Sequence, residues 1–419
     1  MSLPRRGAGS SNMELLSPAG NLEKLRYAYQ YGADAAYIGL QSFSLRARAD
    51  NFDGSEQEEI RRIKGRRKLY GAMNIFFHQP DLRKLEEQLE LIGSYPFDAF
   101  IISDIGILPI LRKRFPDTPL HLSTQANCVN SSAARIYGDL GFSRIILGRE
   151  VSLPEIREIR EALPEMELET FVHGAMCIAY SGRCLLSSYM AGRSGNQGDC
   201  AHSCRWEYAL VERKRPEESF PVEQGENFTT ILSSRDLKMI DHLEELKEAG
   251  VDSVKIEGRM KSVYYTAVVT RAYRKQIDLI EGRITDPEVV RPYVAELDQV
   301  SHREYSTGFY FGREEMEQHA DGVYRRPYLF IGIIGEEVSP GRFRLELKNK
   351  IRTGEAVEQI GPDQPGSEDQ DFLLFDEDGN PVQERDHGKE TFIEPSLPVE
   401  PGFILRRRKT DAPVQRTER

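Results

Sequence analysis

The chain has 419 residues, of which 39% are hydrophobic and 29% are charged. This length and composition are typical of a globular protein with two domains, and no apolar run reaches the ~18 residues that a membrane-spanning helix needs. The net charge of −11 and a sequence pI near 5.5 exclude a general nucleic-acid coat protein, so any contact with RNA is expected to be local.

The two ends of the chain are predicted to be disordered tails, at residues 1–12 and 409–419. The first of them, MSLPRRGAGSSN, lacks the apolar core of a signal peptide, so we expect a cytoplasmic protein without a membrane anchor. Two basic runs, Arg61 to Lys68 and Arg406 to Lys409, are either solvated surface or local contacts for RNA.

Eight short apolar runs alternate with amphipathic stretches between residues 13 and 282, as strands alternate with helices. Most runs are apolar throughout, which is typical of parallel strands covered on both faces. Eight such units favour a TIM-like (β/α)8 barrel over the alternative, an open doubly wound sheet. The predicted strands begin at Met13, Ala35, Lys68, Ala99, Leu120, Arg144, Leu168 and Ser253.

Polar residues follow these strands at the edge where such a barrel carries its active site. Each alone is compatible with a cap or a turn, but together they predict a functional rim. They are Ser17, Gly20, Asn74, Asp104, Thr124, Gln125, Arg149, Glu150, His173, Glu257 and Arg259.

The last part of the predicted barrel contains two helical stretches. Residues 234–249 are interpreted as helix-like, with Asp236 and Asp241 facing solvent, and residues 260–281 as the helix that closes the barrel. Residues 283–327 are predicted to connect the barrel to a small all-β domain.

The small β domain is predicted at residues 328–408, where short strands with DG and PG turns recur. Such a module either binds RNA or a partner protein, or supports the barrel structurally. Because the whole chain is acidic, this domain and its basic run from Arg406 to Lys409 are the candidates for local RNA contact.

Four of the five cysteines lie in one cluster segment, residues 174–206: Cys177, Cys184, Cys200 and Cys204. Six, fifteen and three residues separate them. Because thiols stay reduced in the cytoplasm, this crowding favours a metal site over disulfides. Both iron–sulfur clusters and zinc suit thiolates, although only the last two cysteines have the close spacing common in structural zinc sites.

Two histidines lie near the cysteines in the sequence. His173 and His202 are either further metal ligands or ordinary hydrogen-bonded side chains. Cys177 with His173 forms a third alternative, a nucleophile with its base.

The stretch ETFVHGAMCIAYSGRCLLS, from Glu169 to Ser187, resembles the signature of the collagenase-like peptidase family U-32. ELLSPAG from Glu14, LSTQAN from Leu122, GRE from Gly148, NQGDCAHSCRW from Asn196 and KIEGRMKS from Lys255 are similar to the same family. The β domain resembles the C-terminal domain of longer members, notably the prephenate-dependent tRNA uridine hydroxylases. The signature positions are Glu169, Phe171, Gly174, Cys177, Gly182, Cys184 and Ser187.

This resemblance implies a TIM-like barrel that holds a 4Fe-4S cluster on the four clustered cysteines. It also implies a tRNA anticodon loop as partner and prephenate, a dicarboxylate, as co-substrate, with a related family member as an optional second subunit. In that branch the wobble uridine becomes 5-hydroxyuridine without molecular oxygen. A peptidase is the alternative that the family name carries, although the chain has no HExxH or GxSxG motif. A non-catalytic RNA-binding or maturation factor is the second alternative.

Five rim residues have candidate chemical roles in such a reaction. Arg149 and Arg259 are candidates for binding the carboxylates of prephenate, because a guanidinium offers two parallel hydrogen bonds to a carboxylate. Glu150, His173 and Glu257 are candidates for moving protons at the uracil ring.

Further residues are candidates for binding the substrate. Asn74 and Gln125 are the remaining rim residues that we expect to contact it. Tyr180, Tyr189 and Trp206 are candidate platforms for a splayed base, since single-stranded RNA is commonly read by stacking on aromatic rings.

Overall fold

A computed structural model describes residues 12–40, 43–44, 52, 55–176, 181, 184–195, 200–206, 209–211, 219–221, 235–312 and 324–409. The predicted tails therefore lie almost entirely outside the described residues. Cys177 and Tyr180 lie outside them as well.

Eight parallel strands close into a TIM-like barrel, as the alternation of apolar runs predicts. The barrel strands are β1 (Glu14–Pro18), β2 (Ala35–Gly39), β3 (Lys68–Met73), β4 (Ala99–Ile102), β5 (Leu120–Leu122), β6 (Arg144–Ile146), β7 (Glu167–Ala175) and β11 (Ser253–Ile256). Strand β11 pairs in parallel with both β7 and β1 and so closes the sheet. All five residues of β2 are buried, as expected for a strand covered on both faces.

Helices pack around the barrel and connect its strands. They are α1 (Leu22–Gln30), α2 (Gln57–Lys64), α3 (Gln79–Glu87), α4 (Leu89–Ser94), α5 (Leu108–Arg114), α6 (Ser131–Asp139), α7 (Leu153–Ala162), α8 (Leu186–Ala191), α9 (Leu243–Glu248), α10 (Val263–Ile280) and α11 (Pro287–Ala295). Asn21, Asn130 and Ser262 each accept a hydrogen bond from the backbone N–H three residues later and so begin α1, α6 and α10. None of the helices in these ranges combines the length and apolar composition needed to span a bilayer.

Short strands outside the barrel form two additions to it. Strands β8 (Ala209–Val211) and β9 (Ser219–Pro221) pair with each other, whereas β10 (Asp236–Lys238) runs antiparallel to β7 and β12 (Tyr305–Ser306) runs parallel to β10. The region predicted to connect the two domains thus contains α11 and a strand of the extended barrel sheet.

The prediction of a helix with a solvent-facing Asp236 is wrong. Asp236 begins β10, is only 2% exposed and forms an ion pair with Arg303, whose Nη2 lies 2.7 Å from its Oδ1. This partner lies 67 residues away in the chain, so no local pattern indicates it. Asp241 is exposed, as predicted, in a 3₁₀ turn over Ile240–His242 just before α9.

His173 packs on the outside of the barrel. The pairing of β11 with β7 shifts register here, because Lys255 pairs with Phe171 while the next residue, Ile256, pairs with His173. Such a bulge breaks the alternation of inward and outward side chains. The imidazole contacts Tyr273 of α10 and Tyr305 of β12, with both ring centroids 5.5 Å away.

The buried imidazole of His173 is neutral in the folded protein. Its Nδ1 lies 3.4 Å from the hydroxyl oxygen of Tyr273, and its Nε2 has no hydrogen-bond partner among the described residues. Burial lowers the pKa of His173 from 6.5 to about 3, since a charged imidazolium is poorly solvated there.

The C-terminal domain is an antiparallel all-β module, as predicted. Its strands are β13 (Tyr328–Ser339), β14 (Arg342–Leu347), β15 (Ile351–Arg352), β16 (Val357–Ile360), β17 (Ser367–Asp369), β18 (Leu373–Phe375), β19 (Pro381–Val382), β20 (Glu384–Arg385), β21 (Phe392–Glu394) and β22 (Ile404–Arg408). The main sheet has the strand order β17, β16, β22, β13, β14, β21, β18, β19, and β15 pairs separately with β20. The domain has its own apolar core, which includes Ile331, Leu345 and Ile393.

A buried ion network joins the β domain to the barrel. Arg406 of β22, only 1% exposed, places Nη2 2.5 Å from Glu358 Oε2 and 3.3 Å from Glu296 Oε1. Its Nη1 donates to the hydroxyl of Tyr264 in α10. Arg271 of α10 forms an ion pair with the same Glu296. The network therefore fixes the β domain against α10.

The expectation that Arg406 to Lys409 forms a solvated or RNA-binding run is therefore wrong for Arg406, and Arg407 is only partly exposed. Arg406 is buried, and Arg407 forms an ion pair with Glu355. Only Arg408 and Lys409 are exposed. Two charges at the end of one strand make a much smaller basic surface than four.

The buried network predicts unequal effects of removing two neighbouring arginines. Arg406→Met removes one of the two guanidinium groups beside the buried Glu296 and the cationic partner of Glu358, and we expect it to lower the free energy of unfolding by about 3 kcal/mol. Arg407→Met removes a more exposed ion pair and should cost no more than about 1 kcal/mol. Urea unfolding of both variants measures the difference. Equal losses would contradict the proposed importance of the interdomain network.

His173 predicts a loss of stability in acid. The unfolded chain binds a proton near pH 6.5, whereas folded His173 does so only near pH 3. Stability is therefore fully present above pH 6.5 and is lost as the pH falls towards 3, by about 2 kcal/mol at pH 5 from this residue. His173→Phe should have a smaller loss of stability between pH 8 and pH 5 than the wild type. Urea unfolding at the two pH values measures it, and an unchanged loss would contradict the prediction. Burial also lowers the pKa of His121, and the acid-induced loss of stability that His121 causes should be the same in both proteins.

Candidate active site

A cavity of about 140 Å³ opens at the carboxyl ends of the barrel strands. A single water needs only about 10–15 Å³, so the cavity has room for a small organic group. Its wall combines residues that follow the strands with residues of the cluster segment. From the strand ends come Asn74, Ser123, Thr124, Gln125, Arg149, Glu257 and Arg259, and from the cluster segment come Ser181, Cys184, Leu186, Ser187, Gly195, Cys200, His202, Ser203 and Cys204.

Arg149 and Glu257 form an ion pair in the cavity wall. Arg149 Nη2 lies 3.4 Å from Glu257 Oε2, and the guanidinium lies 3.9 Å above the ring centroid of Phe171. Stacking on an aromatic face holds a guanidinium in a fixed plane. These two contacts thus hold the Arg149 guanidinium in place at the cavity wall.

Arg259 is buried, and two glycines leave room for its side chain and backbone. Its Nη1 lies 3.2 Å from Ser44 Oγ, and a Cβ atom added at Gly39 would lie only 1.8 Å from that nitrogen. A Cβ atom at Gly20 would lie 2.4 Å from the Arg259 carbonyl oxygen. Gly20 appears among the predicted rim residues, whereas the need for Gly39 is visible only in the fold.

Glu150 anchors the cluster segment and does not line the cavity. Its Oε1 accepts a hydrogen bond of 2.7 Å from the backbone N–H of Ser181, and its Oε2 accepts one from Asn127 Nδ2 at 3.3 Å. Ser181 itself is buried and lies 3.4 Å from the hydroxyl of Thr124. The structure therefore gives Glu150 a positioning contact.

Four other predicted rim residues also lie outside the cavity lining: Ser17, Gly20, Asp104 and His173. His173 packs on the outer layer, and Ser17 Oγ lies 2.7 Å from Thr270 Oγ1 of α10. Asp104 accepts hydrogen bonds from the backbone N–H groups of Phe77 and Gly106. These contacts are structural.

Three of the four clustered cysteines line the cavity. Cys184, Cys200 and Cys204 form no disulfide with one another, and Cys200 Sγ accepts a hydrogen bond of 3.3 Å from the backbone N–H of His202. The N–H of Ala201 donates to Ser187 Oγ at 2.8 Å, which ties this loop to α8. Several thiols around one space, with a backbone donor to sulfur, are a donor set that suits iron–sulfur ligation.

The described cysteines alone do not complete a coordination sphere. Within the described ranges, no three His, Cys, Asp or Glu side chains lie close enough to share a metal ion, and Cys177 lies outside those ranges. His202 lines the cavity, whereas His173 does not. Cys128 is buried elsewhere in the core, and burial raises its pKa to about 11, so it remains a thiol.

A charged network in the barrel interior escaped the sequence analysis. Lys255 of β11 lines the cavity and donates to Glu169 Oε1 of β7 at 2.9 Å. Arg144 of β6 donates to Glu169 Oε2 at 3.0 Å and to Glu14 Oε1 of β1 at 2.5 Å. Tyr70 donates to the second oxygen of Glu14 at 2.7 Å. The cavity therefore lies above an ordered chain of buried charges.

Burial and charge act against each other in this network. Burial lowers the pKa of Lys255, and the charge of Glu169 offsets only part of that effect. Burial raises the pKa of Glu14, but Arg144 and the hydrogen bonds from Arg144, Tyr70 and Ser253 outweigh it, so the pKa is lowered overall. A signal for these residues exists in the sequence, because Arg144, Glu169 and Lys255 are charged residues within otherwise apolar strands.

Comparison with known proteins assigns the chain to a family. The family model for peptidase family U32 matches residues 20–320, and the model for the U32 C-terminal domain matches residues 326–406. The chain is 38% identical over 383 residues to tRNA hydroxylation protein P1 of Bacillus subtilis (strain 168), with 89% of each chain covered. It is 36% identical over 402 residues to tRNA hydroxylation protein P of Escherichia coli (strain K12), with 83% of this chain and 86% of that one covered.

A relative with a different name is more distant. The chain is 29% identical over 371 residues to a protein named collagenase from Porphyromonas gingivalis, with 84% of this chain and 87% of that one covered. The family models cover both domains, and the two tRNA hydroxylation proteins match most of the chain. The chain therefore belongs to peptidase family U32.

Proposed function

We propose that this protein is a cytoplasmic tRNA hydroxylase that converts the wobble uridine to 5-hydroxyuridine without molecular oxygen, with prephenate as co-substrate. The observation that carries the proposal is one cavity at the barrel mouth lined by three clustered cysteines and by Arg149, Glu257 and Arg259. Similarity to two tRNA hydroxylation proteins over most of the chain supports RNA as the substrate.

The cationic side chains of the cavity suit a small acid such as prephenate. The Arg149 guanidinium stacks on the ring of Phe171, and the Arg259 guanidinium lies against Gly39, where a larger residue would collide with it. Prealigned guanidinium groups bind carboxylates with little loss of side-chain entropy. Asn74 and Gln125 line the same cavity and offer neutral hydrogen bonds.

Glu257 is the candidate for proton transfer. It lines the cavity beside Arg149, with 3.4 Å between their nearest charged atoms. A carboxylate within reach of the ligand is able to accept or return a proton. Glu150 holds the cluster segment and His173 packs outside the barrel, so neither carries this role in the proposal.

The proposed 4Fe-4S cluster is held by Cys177, Cys184, Cys200 and Cys204. A cluster with four thiolate ligands supplies electron transfer and braces the segment that bears it. Ser187 and Glu150 hold the same segment by hydrogen bonds to the backbone of Ala201 and Ser181. The cluster segment thus forms one wall of the cavity through its own contacts.

The cluster segment also exposes apolar side chains that suit a nucleobase. Tyr189 of α8 is 87% exposed, and Leu185, Met190 and Trp206 are exposed as well. Large apolar side chains in water are costly, and aromatic rings stack on splayed bases in RNA complexes. The other basic run, Arg61 to Lys68, spans the end of α2 and the start of β3 and hence lies at the opposite end of the barrel.

A peptidase is the second candidate, because one relative is named collagenase. It predicts cleavage of gelatin that survives replacement of the clustered cysteines. A non-catalytic RNA-binding factor predicts tRNA binding without a change in nucleoside composition.

The proposal predicts that 5-hydroxyuridine depends on the clustered cysteines. A deletion strain complemented with wild-type protein should contain 5-hydroxyuridine in its tRNA, and one complemented with Cys177→Ala or Cys200→Ala should lack it. Mass spectrometry of tRNA nucleosides measures the product. Cys128→Ala, which removes the buried thiol away from the cavity, is the matched control and should retain the modification.

Two outcomes of that experiment argue against the proposal. Full modification by the Cys200→Ala variant would show that the reaction does not need the cluster. Absence of 5-hydroxyuridine with the wild type, in cells where the protein binds tRNA, would favour the non-catalytic factor.

The exposed rings predict a loss of tRNA affinity on truncation. Tyr189→Ala and Trp206→Ala should each weaken binding by about 1–3 kcal/mol if a base stacks there. Leu373→Ala removes another exposed apolar side chain, from the β domain, and should leave affinity unchanged. Filter binding of tRNA at fixed salt measures the three variants, and wild-type affinity in both aromatic variants would disprove the stacking surface.

A further inference from the structure

Lys255 is a buried ammonium group that faces the cavity with unused hydrogen-bonding capacity. It is 4% exposed and lines the cavity. Among the described residues, its Nζ hydrogen-bonds to Glu169 alone, although an ammonium group has three donors. Its other neighbours are the ring faces of Tyr37 and Phe171, with centroids 4.3 and 5.6 Å from Nζ.

The position of Lys255 is fixed from behind. Glu169, its acceptor, is fully buried and is held in turn by Arg144 at 3.0 Å. Arg144 is anchored by Glu14 at the opposite end of the strands. A lysine side chain normally loses considerable entropy when it is held in one place, and here the fold has already ordered it.

Three cationic side chains line the cavity. Lys255 lies at its floor, and Arg149 and Arg259 lie nearer the mouth together with Glu257. A buried charge is stabilised by a compensating partner, and the carboxylates of an acidic ligand are able to supply such partners.

Lys255 and Arg149 lie on the same aromatic ring. The Arg149 guanidinium lies 3.9 Å and the Lys255 Nζ 5.6 Å from the ring centroid of Phe171. Lys255 belongs to the strand itself, whereas Arg149 follows the end of β6. The two cations therefore sit at different depths within reach of one small molecule.

The geometry points to Lys255 as a second carboxylate anchor, at the floor of the cavity, for a small dicarboxylic acid whose other carboxylate is bound by Arg149 and Arg259. This inference rests on the proposed function for the choice of prephenate as the acid. It adds a selection rule, because a ligand with one carboxylate contacts either Lys255 at the floor or the two arginines near the mouth, and a dicarboxylate contacts both.

Calorimetric titration of the cluster-loaded protein with two acids tests this rule. Prephenate carries two carboxylates and phenylpyruvate carries one. The wild type should bind prephenate at least about ten-fold more tightly, because a charged hydrogen bond contributes about 1.5–3 kcal/mol. Lys255→Met should weaken prephenate binding to the level of phenylpyruvate and leave phenylpyruvate binding within about two-fold. Lys238→Met, which removes a lysine outside the cavity that pairs with Asp298, is the matched control.

A second variant controls for the buried Glu169, which Lys255→Met deprives of its lysine partner. The double variant Lys255→Met with Glu169→Gln removes both charges of the pair and should show the same loss of preference. Wild-type prephenate affinity in both variants, or equal affinity of the wild type for the two acids, overturns the inference.

The inference and the proposed function fail separately. If the protein forms 5-hydroxyuridine but does not prefer prephenate, the inference is wrong and the function stands. If it prefers prephenate through Lys255 but forms no 5-hydroxyuridine, the function is wrong and the carboxylate anchor stands.

Discussion

The pairing of β11 with both β7 and β1 is the constraint on which the site depends. It closes the sheet, so that the carboxyl ends of eight strands meet around one opening. It also brings Lys255 beside Phe171 of β7 and directs Glu257 and Arg259 to the mouth. Without closure, these residues would lie at the edge of an open sheet, far from Arg149 and the cluster segment.

Two buried ion networks hold this arrangement, and they serve different purposes. The network of Arg144, Glu169 and Lys255 lies inside the barrel and orders the floor of the cavity. The network of Arg271, Glu296 and Arg406 lies outside it and fixes the β domain to α10. Buried charges are expensive to desolvate, so each network is stable only because its guanidinium groups have carboxylate partners. The second network therefore holds the β domain in one position against the barrel.

Local patterns in the sequence were enough for the eight strands and for the crowded cysteines, because both are properties of short stretches. Partners far apart in the chain were not visible, so Asp236 was expected to face solvent and Arg406 was expected to be available to RNA. His173 shows a third limit. Its neighbour two residues earlier, Phe171, lines the cavity, and only the register shift opposite Lys255 and Ile256 turns the imidazole outward. Charged residues inside largely apolar strands were the pattern that could have indicated Lys255 and its buried network.

The central claim is that one cavity, walled by the cluster segment and by cationic strand ends, modifies a tRNA base. Its most direct test is a reaction with purified components under anaerobic conditions. Protein with four irons per chain is incubated with prephenate and an unmodified tRNA transcript, and the nucleosides are measured by mass spectrometry. Alone or with a related family member added, the protein should form 5-hydroxyuridine at the wobble position. Intact uridine in the presence of all these components, with tRNA and prephenate both bound, would contradict the account.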